Sequence, residues 1–138
     1  MKKAALILFF LPLLLVGKVD FVHEVMPVLK KRCAECHAGE KKKGGLSMNT
    51  RAAFLAGGEN GEVAVPGKPK ESYFLDAVTS DDPDERMPPK GDPLTKEQVA
   101  KLTAWVAEGM IWDEGIRLGD SGWEPPLKPR VVNLPKAR

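Results

Sequence analysis

Two cysteines and a histidine stand in one five-residue run, Cys33-Ala34-Glu35-Cys36-His37. A C-x-x-C-H run is the pattern of covalent haem c attachment. Two cysteines three positions apart at a helix end can reach the two vinyl groups along one porphyrin edge. The histidine that follows then lies under the ring, where it can bind the iron axially. We therefore predict one covalently bound haem c, held by Cys33, Cys36 and His37.

Two other kinds of site could use the same cysteines. A redox pair of the thioredoxin kind belongs in a βαβ context, and the sequence has no strand pattern strong enough to propose a sheet. A zinc site could take Cys33, Cys36, His37 and His23, which are all the cysteines and histidines of the chain. Only the number of ligands favours zinc, whereas the C-x-x-C-H run favours haem.

A haem iron bound by His37 has a sixth position, for which the sequence offers several ligands. The candidates are His23, Met26, Met48, Met87 and Met110. Met26 and Met110 lie on apolar helix faces, where methionine commonly fills the core. Met87 stands in Arg86-Met87-Pro88-Pro89, where two prolines restrict the backbone and could hold a thioether over the iron. The residues favour His37/Met87 coordination and leave the other candidates open.

A helix must deliver Cys33 to the haem, and apolar periodicity predicts one over residues 20–32. Asp20 is the expected N-cap. Pro27 interrupts the backbone hydrogen bonds, so the helix is expected to kink or start near it.

Three later segments also indicate helices. Thr50 is expected to cap a short helix that runs to Leu55, and the Thr95-x-x-Gln98 capping box begins a longer helix that Gly109 ends. Residues 70–79 are expected to be helical, with Tyr73, Phe74, Ala77 and Val78 on one face. The proline-rich residues 81–93 between these helices cannot be helical. The pattern predicts an all-α fold with long loops.

The N-terminal residues resemble a secretory signal. Lys2 and Lys3 precede an apolar run at 4–16, which is shorter than the roughly 20 residues of a spanning helix. We predict that residues 1–17 are a signal peptide, or a short N-terminal anchor if uncleaved. Residues 18–114 would then be the working domain, and 115–138 a tail rich in proline and glycine. The expected location is the periplasm, with retention at the membrane if the segment stays attached.

Charge is balanced overall and clustered locally. The chain has 21 Lys and Arg against 19 Asp and Glu, a net charge of +2, which argues against a general nucleic-acid binder. Positive charge concentrates at residues 30–43 and negative charge at 76–92. A redox partner with an acidic surface could be steered to the basic side. Ordinary solvated loops would give the same clusters.

Further short segments accompany the C-x-x-C-H run between Phe21 and Trp112. They are Phe21…Val25-x-Pro27-x-Leu29, Gly44-Gly45-Leu46, Gly57-Gly58-Glu59, Val65-Pro66-Gly67, Arg86-Met87-Pro88-Pro89-Lys90-Gly91, Leu94-Thr95 and Trp105-Val106-x-x-Gly109. With them the chain resembles the planctomycete-type cytochrome c domain, a relative of the class I monohaem cytochromes c. Together these segments are more specific than the C-x-x-C-H run alone.

The resemblance implies the small monohaem cytochrome c fold, with about four helices around one covalently bound haem. It implies that the first and last helices cross, with Phe21 and Trp105 at the crossing. It also assigns Met87 as the axial methionine. Cys33, Cys36, His37 and Met87 would then bind the cofactor, with His37 and Met87 as the iron ligands.

An iron with both axial positions filled has no open site for a substrate or oxygen. The expected function is therefore the transfer of single electrons between redox proteins, without catalysis or a small-molecule substrate. Two alternatives remain. A labile or open sixth position would suit a peroxidase-like module or a sensor, and the chain could also be a haem-binding subunit of a membrane or multidomain redox complex.

Overall fold

The computed structural model describes residues 18–120 of the 138-residue chain. The predicted signal segment, 1–17, and the part of the predicted tail at 121–138 lie outside the described residues. The helices are α1 (Met26–Arg32), α2 (Ala34–His37), α3 (Arg51–Leu55), α4 (Tyr73–Thr79) and α5 (Lys96–Ala107). The described residues form no β-strand, and the predicted all-α class is confirmed. No helix within 18–120 combines the length and the apolar character that crossing a bilayer requires.

The N-terminal helical segment begins where the sequence predicted. The Asp20 carboxylate accepts a hydrogen bond from the His23 backbone N–H at 3.1 Å, so Asp20 is the N-cap. A π-helical turn, Phe21–Val25, comes first, and α1 follows with Pro27 in its first turn. Proline is tolerated there because the first N–H groups of a helix have no partner within the helix. Cys33 follows directly after the end of α1.

The longest helix, α5, has the predicted capping box. The Thr95 hydroxyl accepts from the Gln98 N–H at 3.2 Å, and the Gln98 side chain accepts from the Thr95 N–H at 3.0 Å. Two residues after the end of α5, Gly109 has a φ of +95°, a conformation that glycine adopts without strain. The predicted start and end of this helix are confirmed.

The hydrophobic core lies between the N-terminal helical segment and α5. Trp105 is only 1% exposed, and its ring stacks on Phe21 with the ring centroids 5.7 Å apart. The Trp112 ring also packs against Phe21, with the ring centroids 4.4 Å apart. The Phe21–Trp105 contact that the family resemblance implied is therefore present.

Two shorter helices, α3 and α4, stand between these elements. Thr50 caps α3 as predicted, because its hydroxyl accepts from the Ala53 N–H at 3.2 Å. A 3₁₀ turn precedes α4, which begins at Tyr73 rather than at residue 70. The four residues predicted to share one face, Tyr73, Phe74, Ala77 and Val78, all border a single cavity. Three of them are buried, whereas Tyr73 is 57% exposed, and Leu75 is buried as well.

The chain after α5 continues to pack against the domain. Leu118 is 2% exposed, and its N–H donates to the Asn49 carbonyl at 3.0 Å. The Trp112 indole N–H donates to the Ile116 carbonyl at 2.9 Å. Packing against the domain thus continues to Leu118.

Candidate functional site

The cysteines and the histidine of the C-x-x-C-H run lie at the junction of α1 and α2. Cys33 interrupts the helical geometry, with φ −122° and ψ −35°. The chain turns again at once, because the N–H groups of Cys36 and His37 both donate to the Cys33 carbonyl at 3.1 Å. This tight turn brings all three side chains to the wall of one cavity.

The cavity has a volume of about 850 Å³. Pockets for small ligands and cofactors usually have volumes of about 300–1,000 Å³. Met87 borders it together with Cys33, Cys36 and His37. Most of the remaining wall is apolar and includes Leu46, Val63, Phe74, Ala77, Val78 and Pro88. All the side chains that the sequence predicted for the haem site therefore face a single, largely apolar space.

The His37 imidazole is oriented by a backbone group. Its Nδ1 lies 3.3 Å from the carbonyl oxygen of Leu46. A carbonyl can only accept, so Nδ1 donates its proton and Nε2 carries the free lone pair. This is the tautomer that a metal-binding histidine needs, and the Leu46 carbonyl holds it.

The Cys33 thiol is poorly suited to redox exchange. Burial raises its pKa to about 12, although the nearby positive charge of Arg32 lowers it in part. A reactive C-x-x-C pair needs a thiolate and therefore a lowered pKa. Cys33 and Cys36 form no disulfide. The raised pKa of Cys33 argues against the thioredoxin-like alternative, and residues 18–120 form no strand for a βαβ context.

Met87 reaches the cavity from the segment between α4 and α5. This segment contains turns and bends without a helix, as predicted. The Met87 N–H donates to the Ala77 carbonyl at 2.8 Å, which holds its backbone against the end of α4. The side chain is 40% exposed, and Pro88 and Pro89 line the cavity beside it.

The other candidates for the sixth ligand have different surroundings. Met26 and Met110 are fully buried in the core and do not line the cavity. His23 lies 2.8 Å from the Asp20 carboxylate, also away from the cavity wall. Met48, however, is 3% exposed and does line the cavity.

Met48 was one of several candidates for the sixth ligand in the sequence, and the structure places it at the cavity. Its N–H donates to the His37 carbonyl at 2.6 Å, so its backbone is joined to that of the histidine. The sequence signal for its location is its position two residues after Leu46, whose carbonyl contacts His37.

The zinc alternative gains no support from the placement of its ligands. Over residues 18–120, no three His, Cys, Asp or Glu side chains are grouped closely enough to hold a metal ion. His23 does not border the cavity that contains the two cysteines and His37.

Glycines form part of the cavity wall. Gly44 and Gly61 have φ values of +62° and +101°, and a Cβ at either position would meet no atom within 4 Å. Without side chains, these positions allow a flat ring to approach the backbone closely. The glycine wall, the apolar lining, the two thiols and the free Nε2 of His37 together fit a haem.

Positive side chains border the same cavity. Arg32 and Lys43 line it, and Lys41 and Lys42 are exposed next to Lys43. The basic cluster predicted at residues 30–43 therefore includes residues at the cavity, where the charge can act on a bound group or on an approaching molecule.

Residues 33–91 match the family model described as Planctomycete cytochrome C. The match begins at Cys33 and includes His37 and Met87. No curated protein and no solved structure matches the chain. The match covers 59 of the 138 residues and shows that this part of the chain is similar to that family.

Proposed function

We propose that this chain contains a planctomycete-type cytochrome c domain, which binds one haem c covalently and transfers single electrons between redox proteins. Cys33 and Cys36 would form the thioethers, and His37 and Met87 would be the axial ligands. The observation that carries the proposal is the common cavity that these side chains border. The Nδ1–H contact of His37 with the Leu46 carbonyl supports the role of its Nε2 as the ligand.

Each group of residues has its own task in this function. When bound, the haem supplies an iron that exchanges one electron between its ferrous and ferric states. The thioethers of Cys33 and Cys36 keep the haem on the chain in both states. The soft sulfur of Met87 favours ferrous iron and raises the reduction potential, and the apolar lining acts in the same direction by excluding water.

Absorption spectra in both redox states test the ligands directly. The protein should be matured in a host that assembles haem c, as the wild type and with Met87→Leu. We expect a low-spin spectrum that becomes high-spin in Met87→Leu. Met48→Leu is the matched control, because Met48 lines the same cavity, and it should keep the low-spin spectrum. A Met87→Leu spectrum identical to the wild type would contradict the assignment of Met87.

Extraction with acidified organic solvent tests the covalent bonds. We expect the colour to stay with the protein in the wild type and in each single variant, Cys33→Ala and Cys36→Ala. The double variant should lose it, because neither thioether can form. Loss of all colour from the wild type would contradict covalent attachment.

A labile sixth ligand is the second candidate, because the Met87 side chain is 40% exposed. An iron that releases Met87 easily could bind small gases or react with peroxide. Carbon monoxide binding to the ferrous protein separates the two functions. The carrier should bind it slowly and faster after Met87→Ala, whereas an open site would bind it rapidly with or without Met87.

The proposal includes export to the periplasm. It is supported by the signal-like pattern of residues 1–17 and by the assembly of haem c outside the cytoplasm. Cell fractionation and the N-terminal sequence of the holoprotein test it. Holoprotein in the periplasm that begins near residue 18 agrees with a cleaved signal, and haem-loaded protein in the cytoplasm contradicts export.

The proposed partners are redox proteins with acidic docking surfaces. The lysines beside the cavity support this idea, because they could steer such a partner towards the haem. Co-purification from the native host separates a free carrier from a permanent subunit of a membrane or multidomain complex. A stable stoichiometric complex would favour the subunit.

A further inference from the structure

The segment that carries Met87 is tied to the rest of the described domain by hydrogen bonds at two places. Near its middle, the Met87 N–H bonds to Ala77, at the end of the helix just before it. Near its end, the Arg32 guanidinium donates through Nη2 to the carbonyl oxygen of Asp92. The other hydrogen bonds that the structure gives for residues 81–92 stay within residues 80–86. Arg32 therefore connects the end of α1, on the cysteine side of the cavity, to the segment that carries Met87.

Arg32 lies beside both the C-x-x-C-H run and the cavity. It is the last residue of α1, directly before Cys33, and its side chain lines the cavity. Its Nε is buried without a hydrogen-bond partner. No carboxylate among residues 18–120 forms an ion pair with it. The Asp92 carbonyl thus holds the guanidinium beside the cavity.

We propose that Arg32 is a positioning residue, which holds the Met87 segment closed over the cavity and so keeps Met87 on the haem iron. The inference rests on the proposed function, since it requires Met87 as the sixth ligand. Arginine suits the task because its planar fork keeps a charge-assisted hydrogen bond to a carbonyl on another segment.

The physical consequence is an equilibrium between a closed segment and an open one. An external ligand can bind the iron only when Met87 leaves, so its apparent affinity reports the open population. The Arg32–Asp92 hydrogen bond is exposed, so its loss should raise that population, and with it the affinity, by about two- to fivefold.

Imidazole binding to the ferric holoprotein measures this equilibrium. Two variants remove the donor: Arg32→Met keeps much of the apolar stem, and Arg32→Gln keeps a polar end that is too short. Asp92→Ala is one control, because it leaves the backbone carbonyl in place. Lys43→Gln is the other, because it removes a positive charge from the same cavity and leaves the Arg32–Asp92 hydrogen bond in place.

We expect about two- to fivefold tighter imidazole binding in Arg32→Met and Arg32→Gln, and wild-type affinity in both controls. The reduction potential should fall in the Arg32 variants and in Lys43→Gln alike, because each loses a positive charge near the haem. The combination of a lower potential and tighter imidazole binding is thus specific to Arg32. A lower potential with wild-type imidazole affinity in the Arg32 variants would overturn the proposal.

The test also separates this inference from the proposed function. If Met87→Leu leaves the wild-type spectrum and imidazole affinity unchanged, Met87 is not the ligand and the proposed function fails. If Met87→Leu behaves as expected while neither Arg32 variant changes the imidazole affinity, only the role of Arg32 fails.

Discussion

The Nδ1 atom of His37 lies 3.3 Å from the carbonyl oxygen of Leu46, so the orientation of the imidazole depends on where the Leu46 backbone lies. That backbone is fixed by a close contact behind it. The Gly44 carbonyl accepts from the Glu59 N–H at 2.9 Å. Gly58 lies so close that a Cβ there would be 2.5 Å from the Gly44 oxygen and 3.4 Å from the Leu46 nitrogen. The absence of a side chain at Gly58 thus supports the position of His37.

Gly58→Ala should therefore disturb both the fold and the histidine. The new methyl group must push the backbone of residues 44–46 away, and overpacking of this kind costs about 1–3 kcal/mol. The shift should also weaken the His37–Leu46 hydrogen bond and lower the basicity of the axial imidazole. Denaturant unfolding and the reduction potential of the holoprotein measure the two effects.

Gly39→Ala is the matched control for this prediction. Gly39 has a φ of +66°, and a Cβ there would meet no atom within 4 Å. The variant should pay only the strain of the left-handed conformation, about 1–2 kcal/mol, and keep the potential. A Gly58→Ala protein with the wild-type potential would contradict the link between Gly58 and His37.

The lysines beside the cavity should control reaction with charged partners. We expect the triple variant Lys41→Gln, Lys42→Gln, Lys43→Gln to reduce an anionic iron complex several-fold more slowly at low salt. Its rate should also depend less on ionic strength, since the attraction that salt screens is gone. Stopped-flow oxidation of the ferrous protein by hexacyanoferrate(III) measures both quantities.

A cationic oxidant and a lysine variant away from the cavity serve as controls for this prediction. Oxidation by a cationic cobalt complex should become faster in the triple variant, because a repulsion is removed. Lys96→Gln, at the start of α5, changes the charge without lining the cavity, so its effect should be smaller than that of Lys43→Gln. A rate independent of ionic strength in the wild type would exclude steering by these lysines.

Sequence reasoning succeeded where a few neighbouring residues decide the structure. The caps at Asp20, Thr50 and Thr95 were predictable because each side chain bonds to a backbone N–H only three residues away. The C-x-x-C-H run and its proximity to the end of α1 were predictable for the same reason.

Contacts between residues far apart in the sequence could not be predicted from local patterns. Nothing local to Leu118 indicates its bond to Asn49, and nothing local to Arg32 indicates its bond to Asp92. The burial of Leu75 depends on how α4 is rotated against the core, which periodicity over seven residues does not determine. The family resemblance assigned Met87, and the long-range contacts add how its segment is held.

Trp105 should contribute to stability through both its ring and its indole N–H. The N–H donates to the Ile111 carbonyl at 2.7 Å, and the ring is buried against Phe21. Trp105→Phe should lose the hydrogen bond and some packing, at about 1–3 kcal/mol, and Trp105→Ala about 3–5 kcal/mol. Trp112→Phe also loses a bond, to Ile116, but at a partly exposed site, so it should cost less. Equal losses of unfolding free energy at both sites would contradict this order.

Arg51 joins the start of α3 to the end of α5. Its Nε donates to the Met110 carbonyl at 2.8 Å, and its Nη2 donates to the Gly109 carbonyl at 3.0 Å. These carbonyls follow the last turn of α5, where a positive charge is favourable. Arg51→Met should therefore lower the unfolding free energy by about 2–3 kcal/mol, because two charge-assisted bonds are lost. Arg51→Lys should lose roughly half as much, since the ammonium keeps the charge without the planar fork.

Denaturant unfolding of the holoproteins measures these losses, provided that the slope of the unfolding free energy against denaturant concentration is the same in all variants. Arg117→Met is the control for removing an arginine, because the ion pair of Arg117 within residues 18–120 is an exposed one, with Asp120 at 3.7 Å. Its effect should stay within about 0.5 kcal/mol. The haem spectrum should not change in Arg51→Met, because Arg51 does not line the cavity. If Arg51→Met and Arg117→Met lowered stability equally, the end of α5 would have to be held by the packing of Met110 rather than by Arg51.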